Sequence, residues 1–210
     1  MRVRQLTLGA TLLAIGLISP VHAQQAQAPA APAQAPAAPA QTPPATTTAP
    51  LRTPDVIFVP TPPEVVEAML KLAEVSASDV VYDLGCGDGI IVATAAEKFG
   101  ATAVGIDIDP QRVKEATERV QKANVTNKVK ILNQDLFTTD ISKATIVTLY
   151  LLPSLNQKLI PKLNKELKPG TRIVSQSFNM GDQNPPLKTV DVNGRQVFLW
   201  KTPLKPGASQ

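Results

Sequence analysis

The stretch that most constrains the fold is Val80-Val81-Tyr82-Asp83-Leu84-Gly85-Cys86-Gly87-Asp88-Gly89. A short apolar run of strand length passes directly into three glycines at alternate positions, and residues 90–99 follow as a helix. Glycines at such a junction allow dihedrals closed to other residues and let a ligand approach the backbone. The alternation continues downstream: strand 102–108, helix 110–123 with Val113, Ala116, Thr117 and Val120 inward, strand 129–132, strand 145–151, helix 155–167 and strand 171–177. Upstream, Pro62-Pro63 opens a helix running through 74, with Val65, Val66, Met69, Leu70 and Ala73 on one face. Strands alternating with helices of this length are parallel and joined by right-handed crossovers. The runs 187–192 and 196–201 break the rule, because Asn193-Gly194 between them is a hairpin turn. The expected fold is therefore α/β and doubly wound, with helices on both faces of a mostly parallel sheet that ends in an antiparallel hairpin.

The first 54 residues are a different material. All 17 acidic residues and all eight aromatic residues of the 210 fall at or after Asp55. Arg2 and Arg4 precede an uncharged stretch over 6–18, and Val21-His22-Ala23 offers a cleavage site, the layout of a secretory signal peptide. Thirteen apolar residues fall short of the roughly 20 needed to cross a bilayer, so cleavage after Ala23 is expected, with export to the periplasm. Only an uncleaved leader would give the chain a membrane attachment. Residues 24–54 are Ala, Pro, Gln and Thr apart from Leu51 and Arg52, with almost nothing to bury, and read as an extended, disordered linker. The folded unit is expected over 55–204, followed by a flexible tail over 205–210.

Charge and thiol counts remove several functions. The net charge of +4 shrinks to 18 basic against 17 acidic residues over 55–210. That lacks the basic excess of a nucleic-acid-binding domain, so no nucleic-acid partner is expected. A lone cysteine and a lone histidine, His22 in the leader, cannot build a cysteine/histidine zinc set, and no metal is expected. With no histidine in the folded part to activate it, Cys86 reads as a small packing residue rather than a nucleophile.

Three successive strand ends carry the site. The first is the glycine turn. The second is Gly105-Ile106-Asp107, where a carboxylate can accept both hydroxyls of a ribose, and the third is Asn133-Gln134-Asp135, where another can accept from the exocyclic amine of adenine. A nicotinamide dinucleotide loop would read Gly-x-Gly-x-x-Gly without carboxylates beside the pyrophosphate. Here the spacing is Gly-x-Gly-x-Gly, with Asp83 before it and Asp88 within it, which disfavours a nicotinamide oxidoreductase. Two carboxylates suit a cationic, amino-acid-bearing ligand, although either could instead be solvated or cap the next helix.

Asp83-Leu84-Gly85-Cys86-Gly87-Asp88-Gly89, Gly105-Ile106-Asp107-Ile108-Asp109-Pro110 and Gln134-Asp135-Leu136-Phe137 resemble the motifs of class I, Rossmann-like, seven-stranded S-adenosylmethionine-dependent methyltransferases. The resemblance spans roughly residues 58–201. Phe58-Val59-Pro60-Thr61-Pro62 ahead of Val65-Val66 and Met69-Leu70 is similar to the small protein-lysine methyltransferases that act on adenine nucleotide translocase and on the c-ring protein of ATP synthase. The resemblance implies S-adenosyl-L-methionine as cofactor. Gly85 and Gly87 would meet its methionine part, Asp83 its ammonium, Asp107 its ribose and Asp135 its adenine. Cys86, Asp88, Ile108 and Leu136 complete the expected cofactor set.

Methyl transfer from a sulfonium expels a neutral thioether, so no acid need protonate the leaving group. Positioning supplies much of the rate, and the absence of an obvious base is no objection. Strand four ends in Tyr150-Leu151-Leu152-Pro153 rather than the Asp/Asn-Pro-Pro-aromatic turn of enzymes that methylate planar nitrogens. Asn184-Pro185-Pro186 resembles that turn but follows strand five and reads as loop punctuation. The expected activity is methylation of a protein lysine by a monomer, with a small-molecule acceptor as the other possibility. Tyr150 is the one candidate for orienting the amine, against a simple packing role. Lys158, Lys162, Lys165 and Lys168 read as a solvated helix flank. The competing reading is an exported, non-catalytic module that binds an adenosine metabolite or serves as a scaffold, motivated by the cytoplasmic origin of the cofactor.

Overall fold

A computed structural model describes residues 51–206. The expected leader, most of the expected linker and the last four residues lie outside the described part.

Seven strands form one sheet in the order β3-β2-β1-β4-β5-β7-β6. In chain order the elements are α1 (Pro63–Leu72), β1 (Val80–Leu84), α2 (Ile90–Phe99), β2 (Thr102–Asp107), α3 (Pro110–Lys122), β3 (Val129–Asn133), β4 (Ile146–Leu149), α4 (Pro153–Glu166), β5 (Arg172–Gln176), β6 (Lys188–Val192) and β7 (Arg195–Lys201). The first five strands are parallel and β7 runs antiparallel between β5 and β6. Chain order reverses beside β1, so β1 and β4 flank the switch point where a doubly wound sheet takes its ligand.

Near-continuous apolar strands are what a sheet covered on both faces requires. Val81, Ile146, Val174, Val197 and Leu199 point to one face, into a core shared with Val65, Val66, Met69 and Leu70 of α1 and Ile91, Val92 and Ala95 of α2. The intervening residues Tyr82, Leu84, Val147, Leu149, Ile173 and Trp200 point to the other, where Leu159, Ile160 and Leu163 of α4 meet them. Each fully buried aliphatic side chain contributes about 1.5–3 kcal/mol, so both layers are needed to hold the sheet.

Local chemistry sets the element ends. Pro110 at the first turn of α3 follows Asp109, whose carboxylate accepts from Gln111 N–H at 2.8 Å. Asn193 and Gly194 both take positive φ, 53° and 79°, giving the two-residue turn that the β6–β7 hairpin needs. Asn184, in the segment read as punctuation, ties that loop to the C-terminal end of the domain. It accepts Lys205 N–H at 2.7 Å on Oδ1 and donates to the Lys205 carbonyl, while its own carbonyl accepts from Trp200 Nε1.

Some expectations shift. Strand 145–151 is shorter, Ile146–Leu149, leaving Tyr150 in the loop beyond it, and the following helix starts at Pro153 rather than 155. Thr117 is exposed rather than inward, its hydroxyl donating back to the Val113 carbonyl at 2.7 Å. Lys162 is not on a solvated flank. Its stem is buried and its ammonium donates to the Thr139 carbonyl and to Glu166, both at 2.6 Å.

Gly89, the N-cap of α2, has φ 77°, and a Cβ there would lie 2.8 Å from the Cβ of Ala116 on α3. It is the point at which α2 and α3 touch. Gly89→Ala should destabilise the domain by about 2–4 kcal/mol through combined backbone strain and overpacking. A urea midpoint matching that of the parent chain would refute this.

Candidate functional site

The turn after β1 is built onto the end of β2. Gly85 N–H and Cys86 N–H both donate to the Ile106 carbonyl, at 2.8 and 2.9 Å. One residue further, Gly87 N–H donates to Asp107 Oδ2 at 2.8 Å, while Oδ1 of the same carboxylate accepts Asp109 N–H at 2.9 Å. Asp107 thus clasps two loops together before any ligand is considered. Gly87 has φ 52°, and a Cβ on it would come within 2.3 Å of the Phe58 ring, so only glycine serves there. Cys86 lies behind the turn, its Sγ against Gly105, and burial pushes its thiol well above the ordinary range, in keeping with packing rather than nucleophilic duty.

An open cleft of about 880 Å³, measured to include solvent at its mouth, runs over these strand ends. It brings together Asp83, Gly85, Cys86, Asp107, Ile108, Asp135, Leu136 and Tyr150, all of them expected site residues. Six carboxylates line it against two guanidiniums, those of Arg52 and Arg112. Asp83 is the most constrained. It is 2% exposed and accepts from Thr148 Oγ1 at 2.6 Å. Burial, against that hydrogen bond and with help from Asp107 and Asp88, pushes its carboxyl up to about 7. Burial also raises Asp107, although its backbone donors oppose the shift.

Two acidic residues are engaged by partners that sequence order does not reveal. Asp88 pairs with Arg119 of α3 and accepts Ile90 N–H at 3.2 Å, so it braces the start of α2, the alternative weighed for it. Asp135 accepts from Arg52 Nε at 2.6 Å and Nη2 at 3.2 Å and from Phe137 N–H at 2.9 Å. Burial pushes its carboxyl up, but these hydrogen bonds outweigh burial and hold it below the usual range. Arg52, placed in the linker by composition, therefore reaches the site. Its signal was present as the first charged residue after Arg4. Arg112, over the Phe58 ring at 4.8 Å, and Thr148 are the other residues that motif reading missed. Tyr150 lines the cleft just past β4 with its ring stacked on Phe178 at 6.1 Å.

This donor set fits a ligand bearing positive charge. A buried carboxyl unwilling to ionise alone is stabilised as the anion by a sulfonium or ammonium beside it, whereas a pyrophosphate would meet six carboxylates. Strand order, glycine turn and acidic cleft together define an S-adenosylmethionine-dependent methyltransferase of the Rossmann-like, seven-stranded class. The chain belongs to the family of the ANTKMT methyltransferase domain, whose model matches residues 83–187. A protein-lysine N-methyltransferase of Saccharolobus islandicus is 50% identical over 151 residues, covering 70% of this chain and 94% of the relative. The human lysine N-methyltransferase of the ATP synthase c-ring protein is 32% identical over 131 residues, 62% of this chain, which spans only 55% of that relative's length. Among solved structures, an RNA methyltransferase from Salinibacter ruber in complex with S-adenosyl-L-homocysteine aligns with TM-score 0.68 and 51% identity, covering 72% of this chain and 98% of that one. These relatives favour an enzyme over the non-catalytic module.

The raised carboxyl of Asp83 has a definite pH consequence. The folded state holds the Asp83 proton more tightly than the unfolded state, so this group's contribution to stability falls as pH rises from about 4 to about 7 and stays low above. Asp83→Asn should therefore raise the melting temperature of the ligand-free protein at pH 8 but not at pH 4. Saturating S-adenosylmethionine should stabilise the parent at pH 8 and not the variant. Equal melting shifts at both pH values would contradict the assignment.

Proposed function

We propose that the protein N-methylates a lysine side chain of a protein substrate in the cell envelope. The observation that carries the lysine assignment is the end of β4. There the wall next to the cofactor cleft is Tyr150, Leu151 and Leu155, with Phe178 stacked on Tyr150, and it offers neither amide nor carboxylate to a planar nitrogen. A lysine amine reacts only when neutral, and an apolar, aromatic wall favours the neutral form by desolvation. The Saccharolobus islandicus relative, matched over nearly its whole length, supports the same reading by its protein-lysine activity.

In this reading Asp83 holds the cofactor's ammonium, Asp107 its ribose and Asp135 its adenine, with Gly85 and Gly87 as the floor. Bound S-adenosylmethionine supplies an electrophilic methyl on a sulfonium. The chain's own work is to orient the acceptor in line, exclude water through Leu151 and Leu155, and direct the amine lone pair, for which the Tyr150 hydroxyl is the available group. The acceptor's proton leaves to solvent before transfer. Export follows from the Arg2/Arg4 leader and the 6–18 apolar stretch. No described helix is long and apolar enough to cross a membrane. We read the enzyme as a monomer.

The Salinibacter ruber structure makes RNA the reading to exclude by experiment. The near balance of 18 basic and 17 acidic residues over 55–210 disfavours it. Incubating the enzyme with methyl-labelled S-adenosylmethionine and separate envelope, cytosolic protein and RNA fractions should label envelope protein, with methyllysine recovered after acid hydrolysis. Label confined to nuclease-sensitive material would overturn the proposal. Tyr150→Phe should lower kcat about fivefold, the worth of one hydrogen bond, while leaving cofactor affinity unchanged. An unaltered kcat would return Tyr150 to a packing role.

A further inference from the structure

Residues 51–62 have no regular secondary structure, yet they are fixed along the cleft at two points. At one, the Arg52 guanidinium grips both oxygens of Asp135, donates from Nη1 to Asp55 at 2.6 Å, and lies 5.5 Å from the centre of the Phe137 ring. At the other, Phe58 sits directly on Gly87, with Arg112 over the same ring. The two anchors fall on the two ends assigned to the cofactor, Asp135 at the base end and Gly87 at the methionine end. Each oxygen of Asp135 is thus already engaged: Oδ1 by Phe137 N–H and Arg52 Nη2, Oδ2 by Arg52 Nε. A forked guanidinium–carboxylate pair is the strongest common hydrogen-bonded ion pair, and the guanidinium and an exocyclic amine want the same acceptor.

We propose that residues 51–62 are a strap over the cofactor slot, latched by Arg52, and that the adenine amine displaces Arg52 from Asp135 when the cofactor binds. The proposal rests on the reading that Asp135 receives adenine. Displacement leaves Arg52 with Asp55 and the Phe137 face, so the strap is released at its latch without being cast off. Phe58 holds the other anchor. Loading and release of the nucleoside are thereby tied to one ion pair whose cationic half lies just ahead of the folded core, at the end of the Ala/Pro-rich tract. Nothing in the three motifs encodes this control, because Arg52 and Asp135 are 83 residues apart.

The latch is partly exposed, with side-chain exposures of 38% for Arg52 and 15% for Asp135, so its removal should matter modestly rather than drastically. Calorimetric titration of S-adenosylhomocysteine into four full-length proteins tests it: parent, Arg52→Ala, Asp135→Ala and the double variant. Arg52→Ala should bind about three- to tenfold tighter than the parent. The same substitution in the Asp135→Ala background should change nothing, a background dependence that a merely structural arginine would not show. Unchanged or weaker binding by Arg52→Ala overturns the latch while leaving the adenine assignment intact. The adenine assignment has its own arm: Asp135→Ala made in the Arg52→Ala background should weaken binding. If it does not, Asp135 does not read adenine and the latch falls with it.

Discussion

Everything at the site depends on one carbonyl. Ile106 O accepts both Gly85 N–H and Cys86 N–H, and this shared acceptor bends the chain leaving β1 across the end of β2. Once that bend is made, Gly87 N–H falls within reach of Asp107, Asp107 is held rigid by two backbone donors, and α2 starts at Gly89 against α3. The glycine turn, the ribose acceptor and the entry to α2 are therefore one cooperative assembly, in which a change at any member displaces the others. A site held by backbone hydrogen bonds at strand ends is also preorganised, which matters most where catalysis is largely positioning.

That assembly concentrates like charge. Asp83, Asp88 and Asp107 lie close enough for each to disfavour ionisation of its neighbours, and Asp83 is buried as well. The fold offsets this by placing Thr148 on Asp83, Arg119 on Asp88 and backbone N–H groups on Asp107. The ligand-free site is thus an incomplete electrostatic arrangement, and a cationic ligand completes it. Discrimination against phosphate-bearing nucleotides follows from the same arrangement and needs no separate selectivity residue.

The framework was legible in the sequence to within a residue or two for most elements. Val80–Leu84 and Ile90–Phe99 coincide with their expected limits, and the Asn193-Gly194 hairpin takes its place beside β5. Periodicity and turn chemistry are local, and local signals survive in a one-dimensional reading. The failures share a different cause. Whether Lys162 is solvated depends on the Thr139 carbonyl, and whether Asp88 is free depends on Arg119, 31 residues away. Arg52 falls in a tract that reads as featureless because its neighbours in sequence have nothing to bury, while its partner Asp135 comes from the other side of β1. Side-chain pairing between distant segments leaves no mark on spacing. The Tyr150 loop escaped for a related reason: Tyr150-Leu151-Leu152 is as strand-like in composition as β4 itself, and only the pairing of β4 with its neighbours shows where the ladder stops.

Cys86 has a consequence outside the chemistry of the cleft. It is the only thiol in the chain, 4% exposed, and burial disfavours its thiolate. Disulfide exchange requires a thiolate that another sulfur can reach. A chain whose single sulfhydryl is sequestered behind its own backbone turn presents no handle for covalent dimers or mixed disulfides. Its folded state is indifferent to the redox poise of whatever compartment it occupies.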